Sequence, residues 1–166
     1  MATIALKGNP IHTIGLLPEV GTKAPDFLLT KTDLSDISLS GFPGKKIILN
    51  IFPSLDTGVC ATSVRKFNAE AVKHPDTVVL CVSKDLPFAH ARFCVAEGLT
   101  NVVPASELRN HNFGDYYGVL IIDGPMAGLF SRAVVVLDET GIVIYSEQVP
   151  DIVQEPDYEA ALASLK

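Results

Sequence analysis

Pro53, Thr57 and Cys60 stand four and three residues apart in the run Pro53-Ser-Leu-Asp-Thr57-Gly-Val-Cys60, and the cysteine is the side chain best suited to nucleophilic chemistry. The thiolate, not the thiol, is the nucleophile, and helix N-termini and nearby cations favour it. A helix starting at about residue 58 puts Cys60 in its first turn, where unpaired amides and the helix dipole attract an anion. Thr57 lies at capping spacing, where its hydroxyl can reach the N3 amide. A thiolate held this way attacks polarisable bonds such as O–O and becomes a sulfenic acid. The competing reading is a small buried hydrophobe at a helix start, the commoner fate of a free cysteine.

The chain holds two more cysteines, Cys81 and Cys94. Three thiols with no Cys-x-x-Cys pair form neither a disulfide scaffold nor a zinc ribbon. Buried thiols or redox-active ones remain. Cys81, inside Val78-Val-Leu-Cys-Val82, reads as structural, although alternation cannot fix its direction because both faces of that strand look buried. His12, His74, His90 and His111 share no metal-ligand spacing with one another or with the cysteines. Surface positions are expected for all four, with His90 four residues before Cys94 and placed to modulate it. No metal and no cofactor is implied.

These residues need a scaffold, and the apolar pattern supplies one. Hydrophobic residues make up 48% of the 166, and mean hydropathy is +0.31. They fall in short β-branched blocks such as 47–52, 77–82 and 133–137, which read as buried strands and not as a membrane span. Residues 3–7 and 11–15, split by Gly8-Asn9-Pro10, predict an N-terminal hairpin. Extended segments follow at 28–31 and 36–39, then a strand at 46–52 that Pro53 ends. A helix is expected over 58–73, with Val64, Phe67, Ala71 and Val72 inward. Next come a strand at 77–82 and a helix from Pro87 to Glu97, stopped by Gly98. A short strand near 101–103, a helical piece over 106–117 and a Gly-rich loop at 124–130 lead to strands 132–138 and 141–148, joined at Asp138-Glu-Thr-Gly141. A helix over 157–166 closes the chain and reads as packed, not as a docking element. The order is that of an α/β, thioredoxin-like fold: a central mixed sheet flanked by helices, with an added N-terminal hairpin, in a single domain over 1–166.

The formal charge of −6 comes without a Lys/Arg cluster, which argues against nucleic acid and fits ordinary solubility. Nothing near Met1 has the build of a secretory signal, so a cytoplasmic location is expected.

Pro53, Thr57 and Cys60 match the Pro-x-x-x-Thr-x-x-Cys signature of peroxiredoxins. Asp85-Leu-Pro-Phe-Ala-His-Ala-Arg-Phe-Cys94, Ala96-Glu-Gly-Leu99, Asp123-Gly-Pro125, Arg132-Ala-Val-Val-Val and Glu155-Pro-Asp-Tyr-Glu-Ala-Ala-Leu162 extend the match, and essentially the whole chain resembles bacterial thiol peroxidases, atypical two-cysteine members of that family. The resemblance implies a peroxidatic Cys60, a Thr57 that hydrogen-bonds thiolate and peroxide, a shielding Pro53, and an arginine at Arg132, ahead of Arg65 and Arg92, that completes the site. It implies that Cys94 resolves the sulfenic acid through an intramolecular Cys60–Cys94 disulfide. Sulfurs on separate helices bridge only if their Cα atoms come within about 7 Å, so local unwinding around both is expected. Hydroperoxide as substrate, thioredoxin as reductant and a homodimer packed near the site are further implications, and the apolar loops Phe113–Tyr117 and Gly124–Phe130 are compatible with such pairing. Two other readings stand beside this one. A thiol–disulfide oxidoreductase is disfavoured by the missing Cys-x-x-Cys, and a redox sensor would use the Cys60–Cys94 bond to switch a partner surface.

Overall fold

A computed structural model describes residues 1–166. The chain opens with β1 (Thr3–Leu6) and β2 (Asn9–His12), a separate two-stranded antiparallel sheet. Leu6 pairs with Asn9, so the turn is Lys7-Gly8 and Pro10 lies in the strand, one step off the expected Gly8-Asn9-Pro10. Both turn residues have positive φ, 51° and 82°, the twist that two-residue hairpins need. Their amides donate to the Asp151 carboxylate at 3.0 and 2.9 Å, which helps hold Lys7 in the left-handed region.

The main sheet has seven strands: β3 (Leu29–Thr30), β4 (Asp36–Ile37), β5 (Lys46–Ile51), β6 (Thr77–Ser83), β7 (Val103–Ser106), β8 (Ala133–Leu137) and β9 (Val143–Gln148). Their order is β4-β3-β7-β6-β5-β8-β9. The β5–β6 and β6–β7 pairs are parallel and the others antiparallel. The helices are α1 (Gly58–Ala71), α2 (Pro87–Glu97), the single turn α3 (Phe113–Tyr116) and α4 (Tyr158–Ala163). This is the thioredoxin-like α/β arrangement with its added hairpin.

Period-two alternation divides the core between the two faces of the sheet. Leu49, Ile51, Leu80, Val82, Ala133 and Val135 pack with Phe27, Phe113, Tyr117 and Phe130 on one face. Ile48, Val79, Cys81, Val134 and Val136 pack on the other with Cys60, Val64 and Phe67 of α1 and with Ala161 of α4. Cys81 therefore faces the helix that carries Cys60. Gly98 ends α2 in the left-handed conformation, φ 65°, as its position after Glu97 predicts.

Three expectations shift. The helix over 106–117 reduces to α3, because Ser106 ends β7 and the Glu107 and Asn110 side chains take amides at and just before the start of α3. The Glu107 carboxylate accepts from the Gly114 amide at 2.8 Å, and Asn110 accepts from the Asn112 amide. Val72 is exposed at the end of α1 and not part of its inward face. Phe113, Tyr117 and Phe130, offered as loop surface for pairing, are fully buried in the chain's own core.

Candidate active site

The site lies where β5 and β8 end side by side. Ile51, last in β5, pairs with Ala133, first in β8. The chain leaving β5 through buried Pro53 therefore passes the residue that enters β8, Arg132. This register brings together side chains 72 residues apart in sequence: the Arg132 Nη2 donates to Cys60 Sγ at 3.3 Å.

Arg132 is 1% exposed. A buried guanidinium is strongly unfavourable unless paired and hydrogen-bonded. Its Nε donates to the Ile152 carbonyl at 2.8 Å, and no carboxylate forms an ion pair with it. Its other contact is the Cys60 sulfur. Nη1, also buried, has no partner in the protein.

Thr57 is the N-cap residue of α1 by backbone conformation, but its hydroxyl caps nothing. It instead lies 2.6 Å from Cys60 Sγ and 3.1 Å from the Ser54 carbonyl. The expected bond to the N3 amide is replaced by one to the sulfur of that same residue. With no capping side chain and no acid in the first turn, the positive end of the helix dipole faces the sulfur unopposed. Cys60 is fully buried, and a hydroxyl, a guanidinium and a helix N-terminus converge on it. That is an environment for an anion. It can receive a peroxide oxygen and support the charge that moves onto the departing one.

The other thiols differ. Cys81, 1% exposed, is pushed up to about 12 by burial, which the Asn50 amide 3.8 Å away offsets only in part. Cys94 is half-buried in the last turns of α2, and burial raises its thiol too. All three cysteines are free, with no bond between Cys60 and Cys94. The two cysteine-bearing helices are joined at the surface: Arg65 of α1 donates through Nε and Nη2 to the Glu97 carboxylate of α2 at 3.0 and 2.9 Å. Arg92 of α2 lies 3.6 Å from Asp56. Neither arginine touches Cys60, so Arg132 alone reaches the sulfur.

His90 corrects the expectation of four surface histidines. It is 1% exposed, its Nε2 lies 2.8 Å from the Ser83 hydroxyl, and its Nδ1 has no partner. Burial pulls it down to about 4, against the opposing pull of the Asp85 carboxylate 3.9 Å away. Helical spacing placed it on the face of Cys94 but could not tell core from solvent. Reading the residues also passed over Ser54, Asp85 and the Ile152 carbonyl. Asp85 was visible only as part of a longer string, and a backbone acceptor leaves no sequence signal.

The Redoxin family model matches residues 19–162. A curated thiol peroxidase of Mycobacterium tuberculosis is 61% identical over 165 residues, covering 99% of each chain. Among solved structures, a peroxiredoxin-like protein from Aquifex aeolicus superposes with a TM-score of 0.92 at 37% identity, covering 99% of this chain and 96% of its own. A thiol peroxidase from Chromobacterium violaceum gives 0.91 at 25% identity, covering 98% and 94%. No helix of the chain is long and apolar enough to cross a membrane.

Proposed function

Because the chain belongs to the Redoxin family and is a thiol-dependent peroxidase, we propose that Cys60 is the peroxide-attacking sulfur and that Cys94 completes its cycle. The observation that carries this reading is the convergence of the Thr57 hydroxyl and the Arg132 guanidinium on one buried sulfur. The Cys60 thiolate attacks the nearer oxygen of a hydroperoxide, and the O–O bond breaks. Cys60 becomes a sulfenic acid, and the departing oxygen leaves as water or alcohol after taking up a proton. Thr57 and Arg132 hold the sulfur and polarise the oxygens, and Pro53 walls the turn beside them. The Cys94 thiol then attacks the sulfenic sulfur, releasing water and forming the Cys60–Cys94 disulfide. A dithiol reductant of the thioredoxin kind returns both thiols.

The wider setting belongs to the same reading. Hydrogen peroxide and organic hydroperoxides are the substrates, residues 1–166 act as one thioredoxin-like unit, and a reducing cytoplasm fits three free thiols. A homodimer is supported by the exposed apolar residues Leu86, Phe88 and Val95 around α2, and sedimentation velocity on the reduced protein tests it.

The cycle is tested by thioredoxin-coupled peroxide consumption on wild type, Cys60→Ser and Cys94→Ser. Cys60→Ser is expected to be inactive. Cys94→Ser should form one dimedone-trappable sulfenic acid, identified by mass spectrometry, and should not recycle with thioredoxin. Full activity in Cys60→Ser refutes the assignment, and oxidation of wild type without turnover would favour a sensor.

A further inference from the structure

One carboxylate holds the turn that carries Thr57. Asp85, whose side chain is 10% exposed, sits between β6 and α2. Its Oδ1 accepts from the Ser54 hydroxyl at 2.7 Å. Its Oδ2 accepts from the Leu55 amide at 2.8 Å and from the Ser83 hydroxyl at 2.7 Å. Its own carbonyl accepts from the Ser106 hydroxyl of β7 at 2.6 Å, and its amide donates to Ser83 Oγ at 3.2 Å. Ser83 has one hydroxyl proton and gives it to Asp85, so the His90 contact must have Nε2–H donating to Ser83 Oγ. The carboxylate is thereby anchored on strands β6 and β7 and on the first turns of α2.

Ser54 is the pivot of the β5–α1 turn. Its hydroxyl accepts from the Asp56 amide at 3.2 Å. Its carbonyl faces both the amide and the hydroxyl of Thr57, at 3.2 and 3.1 Å. A shift of Ser54 therefore moves the hydroxyl that lies 2.6 Å from the reacting sulfur. We propose that Asp85 is a positioning residue for the peroxide step, holding Ser54 and Leu55 so that Thr57 stays on Cys60. It touches neither sulfur nor substrate and acts through Ser54. Displacing a reacting group by about 1 Å can slow a reaction by about a hundredfold, so loss of this anchor should slow oxidation by roughly ten- to a hundredfold. Asp85 lies before Pro87, at the opposite end of α2 from Cys94, so disulfide closure should not slow with it. The assignment rests on Cys60 being the attacking sulfur.

Rapid-quench mass spectrometry on the full-length reduced protein separates the two steps: sulfenic acid appearance under hydrogen peroxide, then its conversion to the Cys60–Cys94 disulfide. Asp85→Ala is expected to slow the first step at least about tenfold and leave the second unchanged or faster. In Asp85→Asn the remaining oxygen can accept from Leu55 and Ser83 while the amide donates to Ser54 Oγ, so most of the rate should return. Ser54→Ala keeps Asp85 and its β6 anchor intact, and it should slow oxidation while folding normally. First-step rates within twofold of wild type in Asp85→Ala or Ser54→Ala, or an equal fall in both steps, overturn the assignment. Peroxide consumption that survives in Cys60→Ser overturns the Cys60 reading along with it. Those results are distinguishable, because the former leave Cys60 as the oxidised residue.

Discussion

Replacing His90 with glutamine should remove much of the acid sensitivity of this fold. In the native chain the ring is 1% exposed, donates to Ser83 and leaves Nδ1 unpartnered, so a second proton would enter the ring with nothing in the protein to meet it. Burial holds it down to about 4, and the facing Asp85 carboxylate offsets only part of that. Lys84 and Arg92 line the surface cleft beside Asp85 and add positive charge, which does not favour a second cation. In the unfolded chain the ring returns to about 6.5. The folded state thus binds fewer protons, and stability falls as pH drops through 6.5 and levels off below 4. The full effect is about 3–4 kcal/mol, at about 1.4 kcal/mol for each of roughly 2.5 pH units. Between pH 7.5 and 5.0 the unfolded state gains about 27-fold over the folded one, or about 2 kcal/mol. Glutamine keeps a donor for Ser83 but does not titrate. Urea unfolding of reduced wild type and His90→Gln at both pH values measures the difference. Carboxyls held low by local hydrogen bonds, such as Asp138 beside Thr140 and Asp151 beside Gly8, also titrate on the acid side, but they are common to both proteins and cancel. A loss for His90→Gln equal to that of wild type would refute the reasoning.

Arg132→Gln should slow Cys60 oxidation by at least about a hundredfold, since it removes the permanent charge and the donor on Sγ; stopped-flow oxidation under excess peroxide measures it. Cys81→Ala should leave peroxide turnover within about twofold of wild type, and in the native protein Cys81 should be the last of the three thiols to react with a maleimide, since burial keeps it protonated. Phe67→Ala should destabilise the chain by roughly 3–5 kcal/mol in urea unfolding, because this fully buried ring joins α1 to the sheet and to Tyr158. Gly118→Ala should give little folded protein: φ is +68° and an added Cβ would lie 2.7 Å from the Leu16 amide nitrogen, a result that circular dichroism of the purified chain would check.

The elements were legible wherever one strong local signal stood alone. Pro87 and Gly98 bracket α2 as their types require, and the β-branched blocks became the buried strands β5, β6 and β8. Misreadings came where a tertiary contact decided the outcome. The stretch 107–112 carries helix-compatible residues, but Glu107 spends its carboxylate on the Gly114 amide, a choice made by packing. The hairpin turn moved to Lys7-Gly8 because Asp151, some 144 residues away, accepts their amides. In the site, Thr57 and Cys60 were legible because they lie on one helical turn. Arg132 needed a resemblance, since only the Ile51–Ala133 register explains why it meets Cys60. His90 was misjudged because its spacing is the same whether the face of α2 it occupies meets solvent or Ser83.

Cys60 and Cys81 are equally buried but differently surrounded. Both sulfurs are at most 1% exposed, and both belong to the core between the sheet and α1. Burial disfavours the charged form of any thiol, and at Cys81, where the one polar neighbour is an amide at 3.8 Å, that effect dominates. At Cys60 the sulfur instead meets the Thr57 hydroxyl and the Arg132 guanidinium. The guanidinium is itself buried without a carboxylate, so an uncharged side chain in place of the sulfur would leave Arg132 an uncompensated charge inside the protein. It follows that substituting Cys60 should disturb Arg132 as well as abolish turnover. Cys60→Ser, with a neutral hydroxyl beside a buried cation, should be less stable than Cys60→Asp, whose carboxylate restores the ion pair. Urea unfolding at pH 7.5 compares them directly, and a Cys60→Asp protein less stable than Cys60→Ser would show that Arg132 does not need an anion at that position.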